Sequence, residues 1–272
     1  MPRAYMENKS KELEIAIKAA LEAGIILEKY FETEILKEFK EDNTPVTLAD
    51  NECEAVIKKI ILDVFPTHSI LGEETGMTEN GSEYIWNIDP IDGTRNFMNG
   101  IPIFATSIAL VRNNEVIVGV IHNPITQSLF YGEKGRGAYF NDKQIFVSKD
   151  DRAHAMISIS PGKKTDPAKL LFRELYYNFK QGVVSSVRNF GCTAMELAYV
   201  ARGGLEANVQ LGLSTYDFAA GVLLIQEAGG MITKHDGAPW QFPEGEFIAS
   251  NGLFHDVLVN ELKKQKAKLN LS

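Results

Sequence analysis

The chain has 272 residues, 44% hydrophobic and 24% charged, the composition of an ordinary globular protein that buries a large core in one domain or two intimately packed halves. With 36 acidic against 28 basic side chains and a net charge of −8, spread along the sequence, it lacks the long-range field that attracts nucleic acid or an anionic membrane. The two cysteines, Cys53 and Cys192, suggest neither a disulfide framework nor a zinc site and fit a reducing compartment. The N-terminal MPRAYMENKSKELE has no signal-peptide core and no apolar run nears the roughly 18 residues of a membrane span, so a cytoplasmic protein is expected. In an acidic protein, a phosphate ester binds only where metal ions or aimed amide dipoles reverse the local field.

Apolar residues at Leu13, Ile17, Leu21, Leu27 and Phe31, with Gly24 as the gap, predict a first helix with one face on the core. The stretch EDNTPVTLAD is turn-rich, and Thr47 followed by Asp50 predicts a capping box. It opens a second helix through Ala55, Ile57, Ile60 and Ile61 to Phe65, where Pro66 ends it. Short β-type runs follow: SILG, YIWNID, then ATSIALV and EVIVGVI as a hairpin across Arg112, Asn113 and Asn114, and another in LFYGEKGRGAYF. A weakly patterned segment from 148 to about 169 is interrupted by the strand-like MISIS. Beyond it the chain alternates: a helix near 170–179, SSVRNF, a helix over 193–200, EANVQL, a helix over 218–227, MITKH, FIAS and a terminal helix. The expectation is a mixed antiparallel half over 1–150 and an α/β half over 151–272, in one compact unit. The terminal KKQKAK reads as a solvated helix end, where positive charge is favoured.

The richest stretch is WNIDPIDGTRNF, in which an apolar strand ends in Asp89 and Asp92 with Pro90 between them. Pro90 is expected to bend the chain out of the strand and Gly93 to permit a tight turn, so that both carboxylates converge at the strand end. Hard cations prefer such oxygen ligands. Gly93, Thr94, Arg95 and Asn96 then predict the first turn of a helix, whose unpaired N–H groups suit a phosphate. Glu73 and Glu74 follow SILG, and Asp217 precedes the helical stripe Phe218, Val222 and Ile225. Singly, each has a plain reading: a turn, a solvated loop, a carboxylate at a helix N-terminus.

Together, LGEE, WNIDPIDGTRNF and STYDFAAGVLLIQEAGG, with TPVTLAD, GVIHNPIT, GEKGRGAYFN and GCTAMELAYVARGGLEA, resemble the inositol monophosphatase family. That family lies within the lithium-sensitive, magnesium-dependent sugar phosphatase superfamily, and the resemblance covers nearly the whole chain. It implies a mixed α+β and α/β fold, a layered αβαβα sandwich; hydrolysis of inositol monophosphate or a similar small phosphorylated polyol; two or three Mg2+ ions; and a homodimer. It further implies that Glu73, Asp89 and the Ile91 carbonyl hold one magnesium, that Asp89, Asp92 and Asp217 hold a second, and that a third, weaker ion rests on Glu73. By the same likeness the Gly93 and Thr94 amides hold the phosphate, Thr94 with Asp50 and Glu73 orients the attacking water, and Glu74 supports that water. Gly191, Cys192, Thr193 and Ala194 would form the substrate loop, Gln210 would contact the polyol, and Asp217 would border substrate as well as metal.

No serine, cysteine or histidine nucleophile is evident, so a water activated by magnesium is the expected nucleophile. Carboxylates crowded in this way repel one another and raise their pKa values unless cations sit among them. Two departures bear on substrate preference: Gln210 stands where many relatives carry glutamate, and Tyr216 replaces a common tryptophan. The alternatives are a sugar bisphosphatase acting on fructose 1,6-bisphosphate, a 3′-phosphoadenosine 5′-phosphate nucleotidase, disfavoured by GCTA where such enzymes carry GSS, and a regulatory protein-binding scaffold. His122, His154 and His235 lack partner motifs and read as structural or surface residues.

Overall fold

The computed structural model describes residues 9–32, 38–39, 45–151, 155–161 and 166–271; His154 and parts of EDNTPVTLAD and of the 148–169 segment lie outside the described residues. Helix α1, Lys11–Tyr30, starts at Ser10, whose hydroxyl accepts the Leu13 N–H at 3.2 Å. Its inner face is Leu13, Ala16, Ala19, Ala20, Ala23, Gly24 and Leu27, whereas Ile17 and Leu21 are only half-buried. Small residues carry this face because the neighbours come close. A Cβ added at Gly24 would lie 2.6 Å from His122 Cε1, so the expected gap is a point of contact.

Two-residue strands β1, Glu38–Phe39, and β2, Pro45–Val46, pair antiparallel. Helix α2, Leu48–Val64, opens on the expected capping box, with Asp50 Oδ2 accepting the Thr47 N–H at 2.7 Å. Ala55 faces solvent instead of the core; Cys53, Glu54, Ile57 and Ile61 carry the buried face.

The larger sheet uses β3 Ser69–Gly72, β4 Gly76–Thr78, β5 Tyr84–Asp92, β6 Ala105–Arg112, β7 Glu115–Asn123, β8 Ser128–Glu133, β9 Ala138–Phe140 and β10 Lys143–Ile145, with the short helix α3, Thr94–Met98, after β5. Its order is β10-β9-β8-β7-β6-β5-β3-β4, antiparallel except for β3 beside β5. Asn113 and Asn114 turn β6 into β7 with φ of 51° and 60°, the left-handed pair that matches strand twist. The smaller sheet, ordered β12-β11-β13-β15-β14, uses β11 Met156–Ser160, β12 Ser186–Arg188, β13 Ala207–Leu211, β14 Met231–Thr233 and β15 Glu246–Ser250. Between and after these strands come α4 Asp166–Asn178, α5 Thr193–Ala201, α6 Thr215–Glu227 and α7 His255–Lys268.

Three cores build five layers. Leu27, Ile57, Trp86 and Phe104 join α1 and α2 to one face of the larger sheet. Leu197, Phe218 and Leu224 on α5 and α6 fill the space between the sheets, against Phe130 and Phe247. Leu175 on α4 and Leu258 on α7 close the outer face of the smaller sheet on Ile157 and Ile248. The result is a layered αβαβα sandwich, each sheet burying both faces against helices.

Candidate active site

The pairing of β5 with β6 slips between Asp89 and Asp92. Pro90 therefore does not bend the chain out of the sheet as expected. It stays in the strand at an irregularity, where its missing N–H interrupts no regular ladder, and its carbonyl accepts the Thr106 hydroxyl at 2.9 Å. The slip resets the alternation of side chains, so aspartates three apart serve one region. Asp89 is 1% exposed, and its Oδ1 accepts the Ile91 N–H at 3.0 Å. Asp92 Oδ2 accepts the Ala194 N–H and, at 3.3 Å, the Cys192 thiol. Gly93 caps α3 at φ 91°, and a Cβ there would lie 3.0 Å from the Ile103 carbonyl oxygen and 3.1 Å from Cys192 Cβ, so backbone and space both call for glycine. Thr94 donates its hydroxyl to the Ile91 carbonyl at 3.0 Å.

Asp217 lies inside α6, not ahead of it. Ser214 is the cap, and Asp217 Oδ2 accepts its N–H at 3.0 Å in a second capping box. The Ser107 hydroxyl donates to the Tyr216 carbonyl at 3.2 Å and the Thr215 hydroxyl to Asn87 Oδ1 at 2.5 Å, which fastens the start of α6 to β5 and β6. Glu73 continues β3, its N–H donating to the Ile88 carbonyl at 3.0 Å.

The electrostatics tie these groups together. Burial first, and then the charges of Glu73, Asp92 and Asp217, push the Asp89 carboxyl well above the usual range, and a hydrogen bond with Glu73 adds to the effect. Asp217 is pushed well up by burial and then by Asp92 and Glu73. Burial lifts Asp92 to about 7 against the pull of the Ala194 amide and Cys192 thiol. Glu73, Asp89, Asp92 and Asp217 are thus electrostatic neighbours. Among the described residues, however, no three acidic, histidine or cysteine side chains close on a common point as a ready metal shell. A shared cation is what draws such oxygens together.

Asp50 is fully buried. Its Oδ2 serves the capping box, Oδ1 has no partner, and burial, with Glu74 and Glu73 adding, raises its carboxyl to about 7. The half-buried Glu73 and Glu74 belong to a loop held by Glu54, which accepts the Glu74 N–H at 2.8 Å, the Thr75 N–H at 3.2 Å and the Thr75 hydroxyl. Sequence reasoning missed Glu54, although it shares the inner helical phase of Asp50, Ile57 and Ile61, and that phase was the available signal.

In the loop Gly191, Cys192, Thr193 and Ala194, expected to meet substrate, the Ala194 amide is committed to Asp92, and Cys192, Thr193 and Ala194 are buried. The loop therefore orients an aspartate. Gln210, on β13, has no exposed surface; its Nε2 donates to Asn208 Oδ1 at 2.7 Å and its Oε1 is buried without a partner. His122 is buried 3.0 Å from the Ala20 carbonyl, and His235 Nε2 lies 2.6 Å from the Gln210 carbonyl.

Four comparisons bear on this arrangement. The model of the inositol monophosphatase family matches residues 8–267. The chain is 37% identical over 267 residues to an Aquifex aeolicus protein named fructose-1,6-bisphosphatase/inositol-1-monophosphatase, spanning 95% of this chain and 98% of that one. It is 36% identical over 265 residues to an inositol-1-monophosphatase of Mesorhizobium japonicum, spanning 94% and 97%. The crystal structure of the extragenic suppressor protein suhB from Bartonella henselae superposes with a TM-score of 0.88 at 34% identity, over 94% of this chain and 99% of that one.

Proposed function

The chain belongs to the inositol monophosphatase family and is a phosphatase, and from that premise we propose that it hydrolyses inositol monophosphate or a similar small polyol phosphate with magnesium held by Glu73, Asp89, Asp92 and Asp217. The observation that carries the reading is the gathering of three carboxylates, the buried Asp89 and the half-buried Asp92 and Asp217, each with one oxygen pinned by protein donors. The second oxygen of each suits a hard cation, and the donor set fits magnesium. Glu73, Asp89 and the Ile91 carbonyl would hold one ion, Asp89, Asp92 and Asp217 a second, and Glu73 a weaker third. Bound there, the ions supply Lewis-acid charge and lower the pKa of a water.

The rest falls to the chain's own groups. The N–H groups of Gly93 and Thr94 at the start of α3 receive phosphate oxygens. The Ile91 carbonyl accepts from Thr94 and keeps a second lone pair for an ion. Thr94 and Asp50 orient the attacking water, the unpartnered Asp50 Oδ1 being the acceptor, while Glu74, set by Glu54, supports it from the next loop. Gln210 contacts the polyol.

The decisive experiment is a kinetic panel of inositol monophosphate, fructose 1,6-bisphosphate and 3′-phosphoadenosine 5′-phosphate, with magnesium and with excess chelator. Inositol monophosphate is expected to give the highest kcat/KM and chelator to abolish turnover; a bisphosphate or nucleotide winning overturns the substrate. Fructose 1,6-bisphosphate is the second reading, favoured by the double name of the Aquifex relative. The same proposal includes lithium inhibition at the Asp89, Asp92 and Asp217 set, tested by titration to tens of millimolar, and a homodimer, tested by light scattering. It also places the protein in the cytoplasm, supported by two buried free cysteines and by the finding that no described helix is long and apolar enough to cross a membrane.

A further inference from the structure

Where β11, β13 and α5 meet, Ser158, Ser160, Glu196, Asn208 and Gln210 form a buried polar row. Glu196 Oε1 accepts the Phe190 N–H at 2.6 Å, and Oε2 accepts the Ser160 hydroxyl at 2.5 Å and the Asn208 amide at 3.0 Å. The Asn208 Nδ2 also donates to Ser158 Oγ at 2.7 Å. Both Asn208 N–H groups are thereby used, and its Oδ1 faces Gln210, whose Nε2 donates to it at 2.7 Å.

A carboxylate only accepts, whereas an amide has one donating and one accepting end, so direction passes along the row. Glu196 calls for the NH2 of Asn208, Asn208 then calls for the NH2 of Gln210, and Gln210 is left with Oε1 as its free end. That oxygen is buried without a partner, a state that buried acceptors rarely keep. The strand cannot slide to relieve it, because the Gln210 carbonyl is taken by His235 and β13 is paired on both edges. The same logic accounts for glutamine here: a glutamate would set its carboxylate against Asn208 Oδ1, acceptor to acceptor.

We propose that Glu196 is a positioning residue that, through Asn208, fixes the Gln210 amide with its carbonyl toward the substrate, so that this subsite selects a hydroxyl that donates and rejects a group that only accepts. The inference rests on the reading of Gln210 as a polyol contact. The test compares inositol monophosphate with analogues in which each ring hydroxyl is replaced in turn by fluorine, which accepts but cannot donate. Wild type is expected to disfavour fluorine at one ring position by about tenfold in kcat/KM, the size of a net neutral hydrogen bond. In Glu196→Gln the new amide keeps its oxygen on the Phe190 N–H and turns its NH2 to Asn208. The row reverses, and the preference at that position falls to about twofold or inverts. Asn208→Ala interrupts the row with Glu196 intact and should erase the same preference, so that either variant suffices if the other does not fold. A merely structural role would lower both rates together and leave their ratio unchanged. That result, or a wild-type profile flat at every position, overturns the inference while inositol turnover stands. Absence of any polyol phosphate turnover by wild type overturns the functional reading and the inference with it.

Discussion

Asp89 and Glu196 are equally buried, at 1% exposure each, and their surroundings are opposite. On Glu196, burial raises the carboxyl and hydrogen bonds from Ser160, Phe190, Ser158 and Asn208 pull it back. On Asp89, burial, three neighbouring carboxylates and the bond to Glu73 all push the same way. The contrast separates two uses of one chemistry. A buried acid ringed by donors is part of the frame, while a buried acid ringed by acids is, on the proposed reading, kept for a cation, since burial of like charges is otherwise only a cost.

The strongest test removes a member of the acid-ringed set. Asp89→Asn should lower kcat by roughly a thousandfold, several kcal/mol of lost charge stabilisation, while the chelator-treated variant melts no lower than wild type because one repelling charge is gone. Steady-state kinetics with parallel thermal melts would expose a merely structural Asp89, for which both would fall. The donor-ringed set should behave in the reverse sense. Glu54→Ala leaves the Glu74 and Thr75 N–H groups without their buried acceptor, and stability should drop by about 2–3 kcal/mol, read from denaturant midpoints; an unchanged midpoint would remove Glu54 from the frame.

A pH series sharpens the contrast further. Asp50 rises from an ordinary 3.8 to about 7 on folding, so the folded chain binds its proton more tightly than the unfolded chain. Its contribution to stability is therefore complete below about 4 and lost as pH rises through about 7. In chelator, stability should decline between those values, and Asp50→Asn should flatten the decline; a slope unchanged by the substitution would contradict the assignment. The smallest effect is expected at Cys192→Ala, which removes a weak donor from Asp92 but keeps the Ala194 amide. The magnesium concentration for half-maximal rate should rise by only about two- to fivefold, below the usual 10–100-fold for groups supporting a ligand. A larger change would mean that the thiol, not the amide, holds Asp92.

What the sequence by itself determined was whatever neighbours decide among themselves. The Thr47–Asp50 box and the Asn113–Asn114 turn each involve contacts a few residues long, and the amino-acid order encodes them directly. The acidic motif and its order along the chain also sufficed to indicate the family and the αβαβα layering. Tertiary structure decided the rest, because it joins residues whose separation carries no local signal. The Ala194 amide reaches Asp92 across 102 positions, and Glu196 meets Ser160 across 36. Pro90 stays in β5 only because β5 takes up one extra residue as a bulge opposite β6, and the alanine face of α1 is explained only by the closeness of its neighbours, His122 against Gly24 among them. Which oxygen of a buried carboxylate is pinned, and which is left for an ion, depends on donors arriving from other elements, and only folding brings them there.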